Sequence, residues 1–139
     1  MFDRILLGID GSDHAAKATE VTAGLAKAVG GEVLVLHVIE RIAASKGAPA
    51  TDLEIPRDAA SLVEEAGTRL KKDGIRTREK VVTAPSGRVV PEILSAAEES
   101  GADLIVVGSR GLSDFSGLLV GSVSHKLIQH ADCPVLVVR

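Results

Sequence analysis

Short runs of consecutive apolar residues punctuate the chain: RILLGID at 4–10, EVLVLHVI at 32–39, ADLIVVG at 102–108 and CPVLVVR at 133–139. Runs of this length without polar alternation predict strands buried on both faces. Another run, TREKVVTA at 77–84, alternates charged and apolar residues as far as Val81. It predicts an edge strand with one wet side, where Arg78 and Lys80 discourage pairing between sheets. Between the runs, apolar residues fall at helical spacing. Ala18, Val21, Thr22, Leu25, Ala28 and Val29 form one stripe, opened by the capping residues Ser12 and Asp13 and stopped at Gly30 and Gly31. Pro56 opens a second helix with Ala59, Val63, Ala66 and Leu70 on one face, and Gly74 closes it. Val90, Ile93, Leu94 and Ala97 mark a third. Pro91 forces it to begin near Val89 or Val90, because proline is tolerated only in the first turn. A fourth helix is expected from about Gly121 to His130. Residues 40–55, rich in Ala, Ser, Gly and Pro, lack periodicity and read as a connecting loop.

Strands and helices thus alternate along the chain, beginning and ending on a strand. That order, with mostly apolar strands, predicts an α/β fold: a single doubly wound parallel sheet of five strands with helices on both faces and right-handed crossovers. One domain over residues 1–139 is expected.

Composition narrows the function. The apolar 45% of the chain is almost wholly aliphatic, with two Phe and neither Trp nor Tyr, and the net charge is -3. Base stacking on aromatic platforms and a basic face for duplex phosphates are both excluded, so no nucleic-acid partner is expected. The lone Cys133 has no internal disulfide partner and reads as a small buried hydrophobe before Pro134. The amino-terminal apolar run is broken by Gly8 and closed by Asp10, too short for a signal-peptide core or a membrane span. A cytoplasmic protein without a membrane partner is the expectation.

In an open doubly wound sheet, ligands bind beyond the carboxyl ends of the strands, where neighbouring connections leave on opposite faces. With the first strand central, that crevice lies between Asp10 and Gly108. The segment GSRGLSDFSGLLVGSVS at 108–124 supplies suitable chemistry. Gly108 and Gly111 allow backbone amides to approach a ligand, and Gly121 and Ser122 place a glycine and a hydroxyl at a helix start. Helix amino ends favour anions, and the hydroxyls of Ser122 and Ser124 add donors for phosphate oxygens. The segment is not a Walker A loop: it has no GK[ST], and Lys126 lies too deep in the helix.

Gly108-x-x-Gly111, nine residues, then Gly121-Ser122 resembles the GxxGx9G[ST] signature of the ATP-binding branch of the universal stress protein family. RILLGIDGS, VLHVI, AAEESGADLIVVGSRG, LLVGSVS and CPVLVVR extend the resemblance over essentially the whole chain. It implies a flavodoxin-like, adenine nucleotide alpha hydrolase-like sheet of order 3-2-1-4-5 holding ATP or another adenine nucleotide. Under it, Asp10 lies by the ribose and base, Gly8 lines the pocket wall, and the Val38 main chain pairs with the adenine edge. Val107 and Gly108 border the ribose, Gly111 makes room for phosphate, and Gly121, Ser122, Val123 and Ser124 hold the phosphates. Mg or Mn would bind through those phosphates. Homodimers are the family habit. The apolar edge strand at Val135–Val138, with unpaired backbone groups, gives a physical reason for one here.

Other readings stand beside these. Asp10 serves equally as a turn residue. His37, mid-strand with no carboxylate beside it in the sequence, reads as structural; His14 and His125 read as helix-surface residues. Arg110 reaches a phosphate or stays solvated. Asp114 would repel a triphosphate if turned inward, and residues 40–57 carry no motif. Three functions follow: a nucleotide-binding regulatory protein of the stress response, a slow ATPase, and a dimeric scaffold with an empty pocket. No water-activating residue or arginine finger is assignable, so the reading is binding with at most weak hydrolysis and no catalytic residue.

Overall fold

The computed structural model describes residues 1–109 and 121–139. In chain order they form β1 (Arg4–Gly8), α1 (Asp13–Val29), β2 (Glu32–Ile42), β3 (Thr51–Asp52), α2 (Pro56–Lys72), β4 (Thr77–Pro85), α3 (Val89–Ser100), β5 (Leu104–Gly108), α4 (Ser122–His130) and β6 (Val135–Val138). β1 is central. It runs parallel to β2 on one side, with Gly8 beside Leu36, and to β5 on the other, with Gly8 beside Val107. β4 lies parallel along the far side of β2, and β6 parallel along β5.

The expectation of five strands, all parallel, is corrected. The sheet has six, and β3 runs antiparallel to the end of β2, with Arg41 opposite Asp52 and Ile42 opposite Thr51. Residues 40–55 are therefore more than a connection: β2 continues to Ile42, and the chain turns back through a Ser45–Ala48 bridge. The turn uses Gly47 at φ +86°. The sequence conceals this because Ile42 and Leu53 remain exposed, leaving no alternating pattern.

Each central strand is buried on both faces, as its uninterrupted apolar run requires. Ile5, Leu7, Val33, Val35 and Val106 pack under α1 and α2; Leu6, Leu34, Leu36, Ile105 and Val107 pack under α3 and α4. α2 begins with Pro56 at its first turn and buries Ala59, Val63, Gly67 and Leu70. α3 starts at Val89. The stripe expected on α1 is rotated. Ala15, Ala18, Thr19, Thr22, Ala23 and Ala26 face the sheet, while Val21 and Val29 are exposed. Small side chains, rather than the most apolar ones, fit this helix against the strands.

β4 borders only β2 among the described strands, and its charged residues are paired: Lys80 with Glu99 at 2.9 Å and Glu79 with Lys71 at 2.6 Å. At the opposite end of the sheet from the strand tips, Asp103 clamps β1 to β5. Its two carboxylate oxygens accept the N–H groups of Asp3 and Arg4, each at 3.0 Å. Partial burial pulls this carboxyl upward, but the donated N–H groups of Arg4 and Asp3 outweigh it and hold the group below the usual carboxylate range. Burial, aided by Asp103 and Asp132, pushes the Cys133 thiol up, and the side chain packs against the α3–α4 core. That is the chemistry of an unreactive thiol. Among the described residues, no helix is long and apolar enough to cross a membrane.

Candidate functional site

The connection from β1 leaves toward the α1 face and that from β5 leads to α4 on the other, so the carboxyl ends of these adjacent strands flank a topological switch. Three elements meet there. The β1–α1 turn is built from Asp10, Gly11 and Ser12. Asp10 Oδ1 accepts the Ser12 N–H at 3.0 Å, Gly11 adopts φ +80°, and Ser12 Oγ accepts the Ala15 N–H at 3.2 Å. Asp10 thus shapes the turn, the alternative role foreseen for it.

The end of β5 is drawn tightly against α1. A Cβ on Gly108 would stand 2.8 Å from the His14 carbonyl carbon and 3.0 Å from the Ala15 nitrogen. Gly108 therefore makes room for the helix backbone, which is a different reason for a glycine from ligand approach. The same contact brings His14 Nδ1 to 3.2 Å from the buried Ser109 hydroxyl. Gly8 likewise fits beneath Val107 and Ile93, toward α3, and the buried Val107 side chain leaves only its main chain to face a ligand.

α4 presents its amino end to the same crevice. Gly121 donates its N–H to the Ser109 carbonyl, and no side chain caps the helix. His125 is the first residue of the helix whose N–H finds an intrahelical acceptor, the Gly121 carbonyl at 3.0 Å. The N–H groups of Ser122, Val123 and Ser124 find no acceptor among the described residues. With no acidic side chain in its first turn, this end keeps its partial positive charge uncompensated. Ser124 differs from the expectation in one respect. Its hydroxyl donates to the Gly108 carbonyl at 2.7 Å, so its hydrogen ties α4 to β5 rather than awaiting a phosphate. Ser124→Ala should leave that carbonyl unpaired and cost about 1–2 kcal/mol in chemical denaturation.

On the other side of β1, β2 runs on past the end of its neighbour. Ile9 donates its N–H to the Leu36 carbonyl at 3.0 Å, and Leu53 donates to the Glu40 carbonyl at 2.8 Å. Main-chain groups alternate direction along a strand, so those of Val38, between Leu36 and Glu40, point the same way. They find no partner among the described residues. The Val38 side chain is buried in the α3–α4 core. Arg110, Gly111 and the segment 113–115 lie outside the described residues.

The whole chain, residues 1–139, matches the model of the universal stress protein family. It belongs to that family. Universal stress protein YxiE of Bacillus subtilis is 37% identical over 151 aligned positions, with all of both chains covered. The crystal structure of a universal stress protein family member from Burkholderia pseudomallei superposes with a TM-score of 0.75 at 27% identity, over 99% of this chain and 96% of that one. A universal stress protein crystallised in complex with cAMP superposes with a TM-score of 0.73 at 26% identity, over 99% and 97%. These likenesses carry the α/β architecture of the family.

Two pairs at this universal stress protein's crevice are invisible in its sequence. Ser109 and His14 stand 95 residues apart, and His37 and Glu54 stand 17 apart. His37 is buried, with Nδ1 2.6 Å from the Ile9 carbonyl and Nε2 against a Glu54 carboxylate oxygen. It is a fully partnered histidine, as expected of a structural one, but a carboxylate does face it. No motif in residues 40–57 signals Glu54.

Proposed function

We propose that this universal stress protein is a stress-response regulator that binds an adenine nucleotide in the crevice between β1 and β5. The observation that carries the reading is the pair of open main-chain sites flanking the end of β1: Val38 on β2 and the first turn of α4 beyond β5. Two strand spacings, about 10 Å, separate β2 from β5. A base, ribose and first phosphates laid across β1 span such a distance. The base would meet the Val38 N–H and C=O, the ribose would lie over Asp10 and the main chain of Val107 and Gly108, and phosphates would meet the amides of Ser122, Val123 and Ser124. Gly8, Arg110, Gly111 and Gly121 complete the proposed lining. The likeness to a universal stress protein in complex with cAMP supports an adenine ligand.

The residues around this crevice favour binding over turnover. Asp10, the carboxylate nearest the proposed phosphates, already has one oxygen committed to the Ser12 N–H. Among the described residues no cluster of three or more His, Cys, Asp or Glu side chains is placed to hold a metal ion. A magnesium or manganese ion would therefore be held chiefly by the phosphates themselves, where it supplies charge neutralisation. The proposal includes a homodimer through β6 (Val135–Val138), which pairs only with β5 among the described strands and leaves its other edge unpaired.

Mass spectrometry of the small molecules released from freshly purified protein, with calorimetric titration of ATP in magnesium, tests the reading. An adenine nucleotide in the first and measurable heat in the second are expected. No affinity for any adenosine phosphate would remove the site.

A further inference from the structure

β3 is only two residues long, too short to stay in place on its own hydrogen bonds. Residues 41–51 are all exposed, so no core holds the segment that precedes it. Two side-chain contacts do. At one end Arg41 Nε meets Asp52 Oδ1 at 2.6 Å, with Arg41 exposed. At the other, the buried His37 ring joins Glu54 to the Ile9 carbonyl at the tip of β1. An exposed ion pair contributes little, so the inner contact is the stronger anchor.

Hydrogen counting gives that anchor a distinctive property. A carbonyl oxygen only accepts, so His37 Nδ1 carries a hydrogen toward Ile9. In the neutral ring Nε2 would then be a bare lone pair facing a carboxylate oxygen, which also only accepts. The contact therefore needs one more proton, on Nε2 or on the Glu54 carboxyl. Neighbouring charges have engagements of their own. Asp52 holds Arg41, Glu40 accepts the Gly87 N–H, Asp10 accepts the Ser12 N–H, and His14 meets Ser109. Asp13, Arg57 and Asp58, at the starts of α1 and α2, are exposed to water.

The contact flanks the open main chain of Val38. β1 ends on one side of that gap, at Leu36, and β3 closes it on the other, at Glu40. We propose that His37 and Glu54 form a proton-dependent latch that positions β3 as the outer wall of the base-binding gap, so that losing the shared proton weakens nucleotide binding. This inference rests on the proposed placement of the base at Val38. Neither residue touches the reacting or binding atoms; both are positioning residues that act through β3 and the tip of β1.

Titration of wild type, Glu54→Gln and Glu54→Ala with magnesium ATP at pH values from mildly acidic to alkaline tests the latch. In wild type the affinity should fall about tenfold as the pH rises, the equivalent of one charge-assisted hydrogen bond. A glutamine amide can donate to the bare Nε2 while Nδ1 still serves Ile9, so Glu54→Gln should keep the contact with no extra proton. Its affinity should lose that part of the pH dependence. Glu54→Ala should bind weakly throughout. Titration of the ATP phosphates is common to all three and cancels in the comparison. Ring-nitrogen NMR of the ligand-free protein reads the latch independently. A proton should be found between His37 Nε2 and Glu54 in wild type, and a bare Nε2 accepting from the amide in Glu54→Gln. Identical pH profiles in wild type and Glu54→Gln, or wild-type affinity in Glu54→Ala, would overturn the latch while leaving the nucleotide site standing. No ATP binding by wild type at any pH would overturn the site and the latch's effect on it, whatever the ring nitrogens show.

Discussion

Gly108→Val should lower the free energy of unfolding toward the upper end of about 1–3 kcal/mol, read as a shifted midpoint in chemical denaturation. Valine suits a strand, so propensity alone would favour the substitution. The obstacle is what a Cβ would meet. It would lie 2.8 Å from the carbonyl carbon of His14, 2.9 Å from its Cβ and 3.0 Å from the Ala15 nitrogen. Main-chain atoms of a helix start cannot swing aside as a side-chain tip can, so α1 must lift from β5 or β5 must shift. Lifting α1 would also part His14 from Ser109 and move the Asp10 turn, so nucleotide binding should fall with stability. Gly8→Ala is the control. Its new methyl would meet the Val107 side chain at 3.1 Å, a contact that a small rotation relieves, and about 1 kcal/mol or less is expected. Equal stability of Gly108→Val and wild type would show that α1 is not seated on β5 at this point.

That glycine also shows how far the sequence is legible. Its position in a spaced glycine motif identifies the crevice, because strand ends and helix starts have local signatures. Its immediate steric cause is a helix more than ninety residues earlier, which no local pattern encodes. The buried strands are readable from Leu6, Leu7, Val35 and Ile105, because a strand covered on both faces must be apolar throughout. α1 is readable as a helix but not in its orientation. Hydrophobicity favours Val21 and Val29, whereas the sheet accepts Ala and Thr, even burying the Thr22 hydroxyl with no partner among the described residues. Size decides that face, and periodicity is blind to size. β3 escapes detection because a two-residue strand has no period. The partnership of His37 with Glu54 escapes for a related reason: a carboxylate that arrives by a hairpin has no fixed spacing from its histidine.

ATP should bind about a hundredfold more tightly than GTP, the difference that two hydrogen bonds of roughly 1.4 kcal/mol each would make. The phosphates and ribose of the two nucleotides are the same, so the amides of Ser122, Val123 and Ser124 cannot tell them apart. Discrimination has to come from the gap in the β2 edge, where Val38 offers one N–H and one C=O side by side. Adenine presents an acceptor, N1, beside a donor, its exocyclic amine. Guanine presents the reverse order along the same edge, a carbonyl oxygen beside an N–H, so with the sugar held over Asp10 donors would face donors. Val38→Pro removes the N–H pointing into the gap, and by strand alternation this N–H makes no bond to β4. It should therefore weaken ATP about tenfold, leave GTP nearly unchanged and shrink the preference accordingly. Competition binding with a fluorescent nucleotide measures all four affinities in one format. Equal affinities for ATP and GTP in wild type would mean that the Val38 main chain does not read the base, and that the phosphates alone hold the ligand in the crevice.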